Sequence, residues 1–133
     1  MAFFRPRVSR EAEVRYHADQ EVGRGFPALL GKAREAERAL REAQAAGASQ
    51  ERLRELGVAL DRALTDALRA AEAAARATYG VRAYDDRIAR RKARATPAGA
   101  MWTAEVHRLR TLREQHRLTG IPRLPREVPA HVK

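Results

Sequence analysis

The stretch SQERLRELGVALDRALTDALRAAEAAARATYG, residues 49–80, decides the fold. Within it Leu53, Leu56, Leu60, Leu64, Leu68, Ala71, Ala75 and Tyr79 recur mostly at steps of three and four, the spacing of one face of an α-helix. Ser49 is a natural cap, because its side-chain oxygen can accept from the free amides of a first turn, and Gly80 is a natural stop. A helix over residues 50–79 follows, ~45 Å long at a rise of 1.5 Å per residue. Its first half is rich in leucine and its last part, residues 70–77, in alanine. The alanine end has little apolar area of its own, so it needs a further helix against it, from this chain or from a second copy.

Upstream, Leu29, Ala33, Ala36, Leu40 and Ala43 are spaced 4, 3, 4, 3, a narrow heptad-like seam on a helix expected over residues 27–46. Gly47 and Ser49 leave a connection so short that the two helices should lie antiparallel as a hairpin. Ser9, with Glu11 and Glu13 behind it, caps a shorter first helix over residues 10–22, whose apolar line is Val14, Ala18 and Val22. Gly23 and Gly25 interrupt it, and Pro27 sits where a first helical turn tolerates proline.

Downstream, a fourth helix is expected over residues 82–95, with Asp85 and Asp86 in its first turns and Tyr84 and Ile88 as its core contacts. Thr96-Pro97 closes it and can cap a fifth helix, whose buried line is Trp102, Val106, Leu109 and Leu112. After Thr119-Gly120, the prolines at 122, 125 and 129 exclude a regular helix or central strand. Residues 121–133 therefore read as an extended arm displaying Leu124, Val128 and Val132 to a partner. The expected fold is all-α: a long antiparallel helical hairpin, a short N-terminal helix, two basic C-terminal helices and an extended proline-containing tail. Residues 1–120 form a single helical domain and residues 121–133 the arm.

Composition bounds the function. Leu, Ile, Val and Phe supply only 25 of 133 residues and the formal charge is +10, a range in which disorder must be weighed. Twenty-eight alanines and the regular leucine spacing favour helix instead. There is no cysteine, so thiolate metal sites, thiol nucleophiles and disulfides are excluded. No apolar run approaches the ~20 residues needed to span a bilayer. Arginine outnumbers lysine 24 to 3 and asparagine is absent, a bias that heat adaptation and a GC-rich genome produce alike.

The charge is unevenly placed: residues 1–80 carry 14 basic and 12 acidic side chains, residues 81–133 carry 13 and 5. Arg87, Arg90, Arg91 and Arg94 fall at i, i+3, i+4 and i+7, a ridge of guanidinium groups on one helix face with Lys92 beside it. Each guanidinium is permanently charged and offers a planar fork matching phosphate or carboxylate. Arg110, Arg113 and Arg117 share a face of the fifth helix and extend the set.

Other chemistry is weaker. Glu13, His17 and Glu21 lie at i, i+4 and i+8, but no further ligand motif accompanies them, and a solvated face is the simpler account. Asp85-Asp86 suits helix capping better than paired acid and base work, since adjacent helical residues point ~100° apart. No phosphate-loop or nucleophile motif is present, so no catalytic residue, metal or cofactor is assigned. The sequence reads as a non-enzymatic basic helical protein that binds nucleic-acid backbone with little sequence specificity, as a homo-oligomer or a subunit of a larger assembly. The rival is a structural or adaptor protein, such as a phage-particle or ribonucleoprotein component, whose arginine face and arm dock on an acidic protein surface. No membrane contact is expected, and a cytoplasmic bacterial or phage-encoded setting suits the absence of cysteine.

Overall fold

A computed structural model describes residues 8–122, and every described regular element is helical. Five α-helices, α1 (Arg10–Arg24), α2 (Phe26–Ala45), α3 (Gln50–Tyr79), α4 (Arg87–Arg94) and α5 (Pro97–Gln115), are joined by a 3-10 turn (Val81–Tyr84) and closed by a π turn (His116–Gly120). The long central helix forms over the residues its leucine and alanine spacing predicts. Ser49 caps it by accepting from the Arg52 amide at 3.2 Å. At its other end Gly80 adopts φ +94°, a conformation that side chains resist, and turns the chain into the 3-10 segment.

α3 is the spine, with α1, α2 and α5 all packed on it. Gly25 separates α1 from α2 by a single residue, and Pro27 withholds an amide there, so the two helices form one kinked arm running back along α3. The register is legible in the cross-contacts: Asp19 meets Arg76, Gly23 meets Ala74, and the hairpin turns at residues 46–49. α5 returns antiparallel on another side of α3, with Tyr79 meeting Thr103 at one end and Asp61 meeting Arg117 at the other.

The core is small and contiguous. Phe26, Ala33 and Leu40 of α2, Leu60, Leu64 and Leu68 of α3 and Leu109 of α5 are buried together. The Phe26 and Trp102 rings meet edge to face at 5.2 Å. Full burial of a leucine such as Leu68 or Leu109 contributes roughly 1.5–3 kcal/mol, so this cluster carries much of the fold.

Expectations for α1, α4 and α5 are corrected. The buried side of α1 is not Val14, Ala18 and Val22: Val14 is 62% and Val22 50% exposed, and Ala18 is exposed too. Ala12 is buried instead, with Tyr16, Asp19, Gln20 and Gly23 partly covered, because a small or hydrogen-bonding face fits the close approach to α3. The fourth helix does not begin at residue 82. The 3-10 segment ends at Tyr84, and Asp86 caps α4 by accepting from the Ile88 and Ala89 amides at 2.8 and 3.3 Å, while Ile88 is 67% exposed. Ala70, Ala71, Ala73, Ala74 and Ala75 are buried within this one chain, the first of the two alternatives expected for that end. The alanine-rich end of α3 thus has its neighbours in α1 and α5 of the same chain. In α5, Leu112 is exposed, leaving Leu109 as the fully buried member of its line.

Ser9 and Asp85 tie the start of α1 to the turn before α4. Ser9 caps α1 by accepting from the Ala12 amide at 3.1 Å, and its hydroxyl and amide donate to Asp85 at 2.8 and 3.2 Å. At the far end His116 contacts the Gly57 carbonyl at 2.6 Å and Arg54 donates to the Pro122 carbonyl at 3.2 Å. Ile121 and Pro122, the first two residues of the predicted arm, therefore rest on α3. Leu124, Val128 and Val132 lie outside the described residues.

Candidate anion-binding cleft

The predicted cationic residues divide into three groups. Arg90 and Arg94 of α4 and Arg110 of α5 line a cleft of about 570 Å³ between α1, α3, α4, α5 and the 3-10 turn. Arg87, Arg91 and Lys92 are exposed on α4 and do not line it. Arg117 pairs with Asp61 of α3 at 2.7 Å and with Glu114 at 3.6 Å, and Arg113, mostly buried, approaches the adjacent Glu114 at 3.5 Å. Those two are engaged within the fold, so the face predicted for Arg110, Arg113 and Arg117 is not a continuous free surface.

The ridge itself is split by packing. With Asp86 as cap and Thr96-Pro97 as stop, α4 has only eight residues, and its inner side presses on the 3-10 turn and α3. Arg90 is half-buried and donates its Nε to the Ala83 carbonyl at 3.1 Å. Arg94 lies over the Tyr79 ring at 5.7 Å from its centroid, within cation–π reach. Tyr79 is in turn fixed by a 2.6 Å hydrogen bond with Thr103, and Thr103 donates to the Gly99 carbonyl at 2.8 Å.

Sequence reasoning missed the other half of the cleft. Arg15 of α1, Glu72 and Arg76 of α3, Tyr84 and His107 also line it. Arg76 donates Nε and Nη2 to the two oxygens of Asp19 at 2.9 and 3.1 Å, and the Tyr84 hydroxyl donates to Asp19 at 2.5 Å. Burial works against the Asp19 charge, but the hydrogen bonds from Arg76 and Tyr84 outweigh it and hold the carboxyl below its usual range. Burial, and then the Asp19 carboxylate, push the Tyr84 phenol well above its usual range, so it remains a neutral donor. The signal that would have found Arg15 was the hairpin register: carried past the Gly25 break, it sets residues 15–19 beside residues 76–80.

Arginines thus reach the cleft from four helices and face one lining carboxylate, Glu72. Among the described residues, Arg15, Arg90, Arg94 and Arg110 have no carboxylate oxygen within ion-pair distance. No known family, curated protein or solved structure matches this chain. The cleft gathers five guanidinium groups beside one lining carboxylate.

Glu13, His17 and Glu21 are exposed, Glu21 pairing with Arg24 at 2.9 Å, and no group of three or more His, Asp or Glu among the described residues is arranged to hold a metal ion. His107 of α5 is exposed at the cleft, and His116, the first residue of the π turn, is half-buried against the Gly57 carbonyl. Among the described residues no helix is long and apolar enough to cross a membrane.

Proposed function

We propose that this protein is a non-enzymatic nucleic-acid-binding subunit that grips the sugar-phosphate backbone with little sequence preference. The observation that carries this reading is α4. Its five cations, Arg87, Arg90, Arg91, Lys92 and Arg94, have no acidic oxygen within 4.0 Å among the described residues, and all but Arg90 are exposed. Clustered fixed charge is what a phosphate backbone selects. Among the described residues base readout has little to work with: Trp102 is packed on Phe26, and the Tyr79 and Tyr84 hydroxyls are already bonded within the fold. The arm carrying Leu124, Val128 and Val132 supplies a contact to a neighbouring subunit.

A second reading, an adaptor docking on an acidic protein, is favoured by apolar exposure on the same helices: Ile88 of α4, Met101 and Leu112 of α5, and Leu118, 75% exposed in the π turn. Fluorescence anisotropy with labelled duplexes and single strands of unrelated sequence separates the two. Backbone binding gives similar affinities across sequences and a steep loss with salt. No binding at low salt, with an acidic protein retained after nuclease treatment, transfers the assignment to the adaptor.

A further inference from the structure

We infer that the cleft is a site for a small phosphate-bearing ligand of nucleotide size, distinct from the outer face of α4. Like charges brought together from separate helices repel, and arginines are easily accommodated on outer faces, so their convergence costs stability unless an anion occupies the space. The convergence here is specific: Arg15 comes from α1, Arg76 from α3, Arg90 and Arg94 from α4 and Arg110 from α5.

Three of these groups are held before any ligand arrives. Asp19 fixes Arg76 through both oxygens, the Ala83 carbonyl fixes Arg90, and the Tyr79 ring supports Arg94. A guanidinium oriented in advance loses less freedom on meeting its anion, and its fork matches paired phosphate oxygens. Arg90 and Arg76 spend part of their donor sets on those anchors, while Arg15 and Arg110 are exposed and unpaired among the described residues. The latter two are the cations that close on the phosphate.

The cleft is larger than an inorganic anion requires. Its volume, about 570 Å³, falls within the range of small-ligand sites. Beside the arginines, Ala75, Ala83, Val106 and the Tyr79 ring supply an apolar wall. A ligand with charge at one end and a flat or apolar body at the other fits both halves. A free nucleotide has this form, and so does the phosphorylated end of a nucleic-acid strand; the phosphate chemistry is common to both.

The test is calorimetric titration of the full chain with inorganic pyrophosphate, ADP, and a short single strand carrying either a 5′-phosphate or a 5′-hydroxyl. One saturable site per chain is expected for ADP, with amide shifts in the unmodified protein centred on Tyr79, Thr103 and His107. Losing charge-assisted contacts, the Arg15→Gln, Arg110→Gln pair should weaken ADP about tenfold or more, whereas the Arg87→Gln, Arg91→Gln pair should change it by less than about twofold. A 5′-phosphorylated strand that binds the cleft at least about tenfold more tightly than ADP and than the 5′-hydroxyl strand identifies a strand end as the ligand; ADP binding at least as tightly identifies a free nucleotide. The inference is overturned if neither ADP nor the phosphorylated strand saturates one site, if the shifts map to the outer face of α4, or if both variant pairs weaken binding equally. Strand binding without a phosphate site in the cleft overturns only this inference. Nucleotide binding without affinity for internal strand backbone overturns only the nucleic-acid reading.

Discussion

Gly23 lies against Ala74 backbone to backbone: a β-carbon on the glycine would stand 2.9 Å from the alanine Cα and 3.1 Å from its nitrogen. This contact lets α1 sink onto the alanine-rich half of α3 and brings Arg15 to the cleft. Gly23→Ala should destabilise the protein by about 1–3 kcal/mol through overpacking, although in an open helix the same change would stabilise by about 1 kcal/mol. Gly31 is the control, since a β-carbon there meets nothing within 4 Å, and Gly31→Ala should raise stability by up to about 1 kcal/mol. Urea denaturation of both variants reads the difference. A Gly23→Ala protein as stable as Gly31→Ala would mean that α1 does not seat this closely on α3.

Asp19 joins three elements, α1, α3 and the 3-10 turn, through Arg76 and Tyr84. Asp19→Ala should cost about 1.5–3 kcal/mol, the range for hydrogen bonds to a charged group, because the half-exposed Arg76 can rehydrate. The sign of its pH dependence follows from a folded pKa held low. The stabilisation is complete above the unfolded carboxylate value of about 3.9 and is lost as the pH falls through the lower folded value. Denaturation midpoints of parent and variant should therefore stay a constant distance apart near neutrality and converge in acid. A gap that persists unchanged into strong acid would remove Asp19 as the titrating group.

Tyr84 gives the opposite window. Its folded pKa is raised by burial and by Asp19, so its contribution is intact below the ordinary phenol value of about 10 and declines as the pH rises through the folded one. Tyrosinate absorbance should show one of the three phenols ionising late and together with alkaline unfolding. In Tyr84→Phe the late phase should vanish, at a cost of roughly 1.5–3 kcal/mol for a hydrogen bond to a charged group. A late phase that survives in the variant would assign it to another tyrosine.

The third and fifth helices were legible because leucine and alanine at helical spacing, with Ser49, Gly80 and Thr96-Pro97 as punctuation, point to one answer at every level. The contact face of α1 was not. Its seat on α3 is made by Ala12, Gly23 and a carboxylate bonded to Tyr84 and Arg76, and apolar periodicity is blind to such a face. The ridge was legible as a pattern and misleading as a surface. Spacing places Arg87, Arg90, Arg91 and Arg94 together, whereas the pull of the Ala83 carbonyl and the Tyr79 ring is tertiary and divides them. Arg117 was drawn away for the same reason, by Asp61 of α3.

That division changes which substitutions test backbone binding. Replacing Arg90 or Arg94 removes charge but also an anchor to Ala83 or Tyr79, and replacing Arg117 breaks its pairing with Asp61. Arg87, Arg91 and Lys92 have no such ties among the described residues and are exposed on α4. Changing all three to Gln keeps helix propensity and should leave the melting temperature nearly unchanged. Each cation that contacts a phosphate should lower the slope of log K against log salt by roughly 0.7–0.9, so the triple variant should lose up to roughly 2–3 from the slope on any strand sequence. Arg117→Gln should do the reverse, lowering stability and leaving the slope where it was. If the outer triple variant keeps the parental salt slope while Arg117→Gln reduces it, the backbone runs along α5 and not along α4.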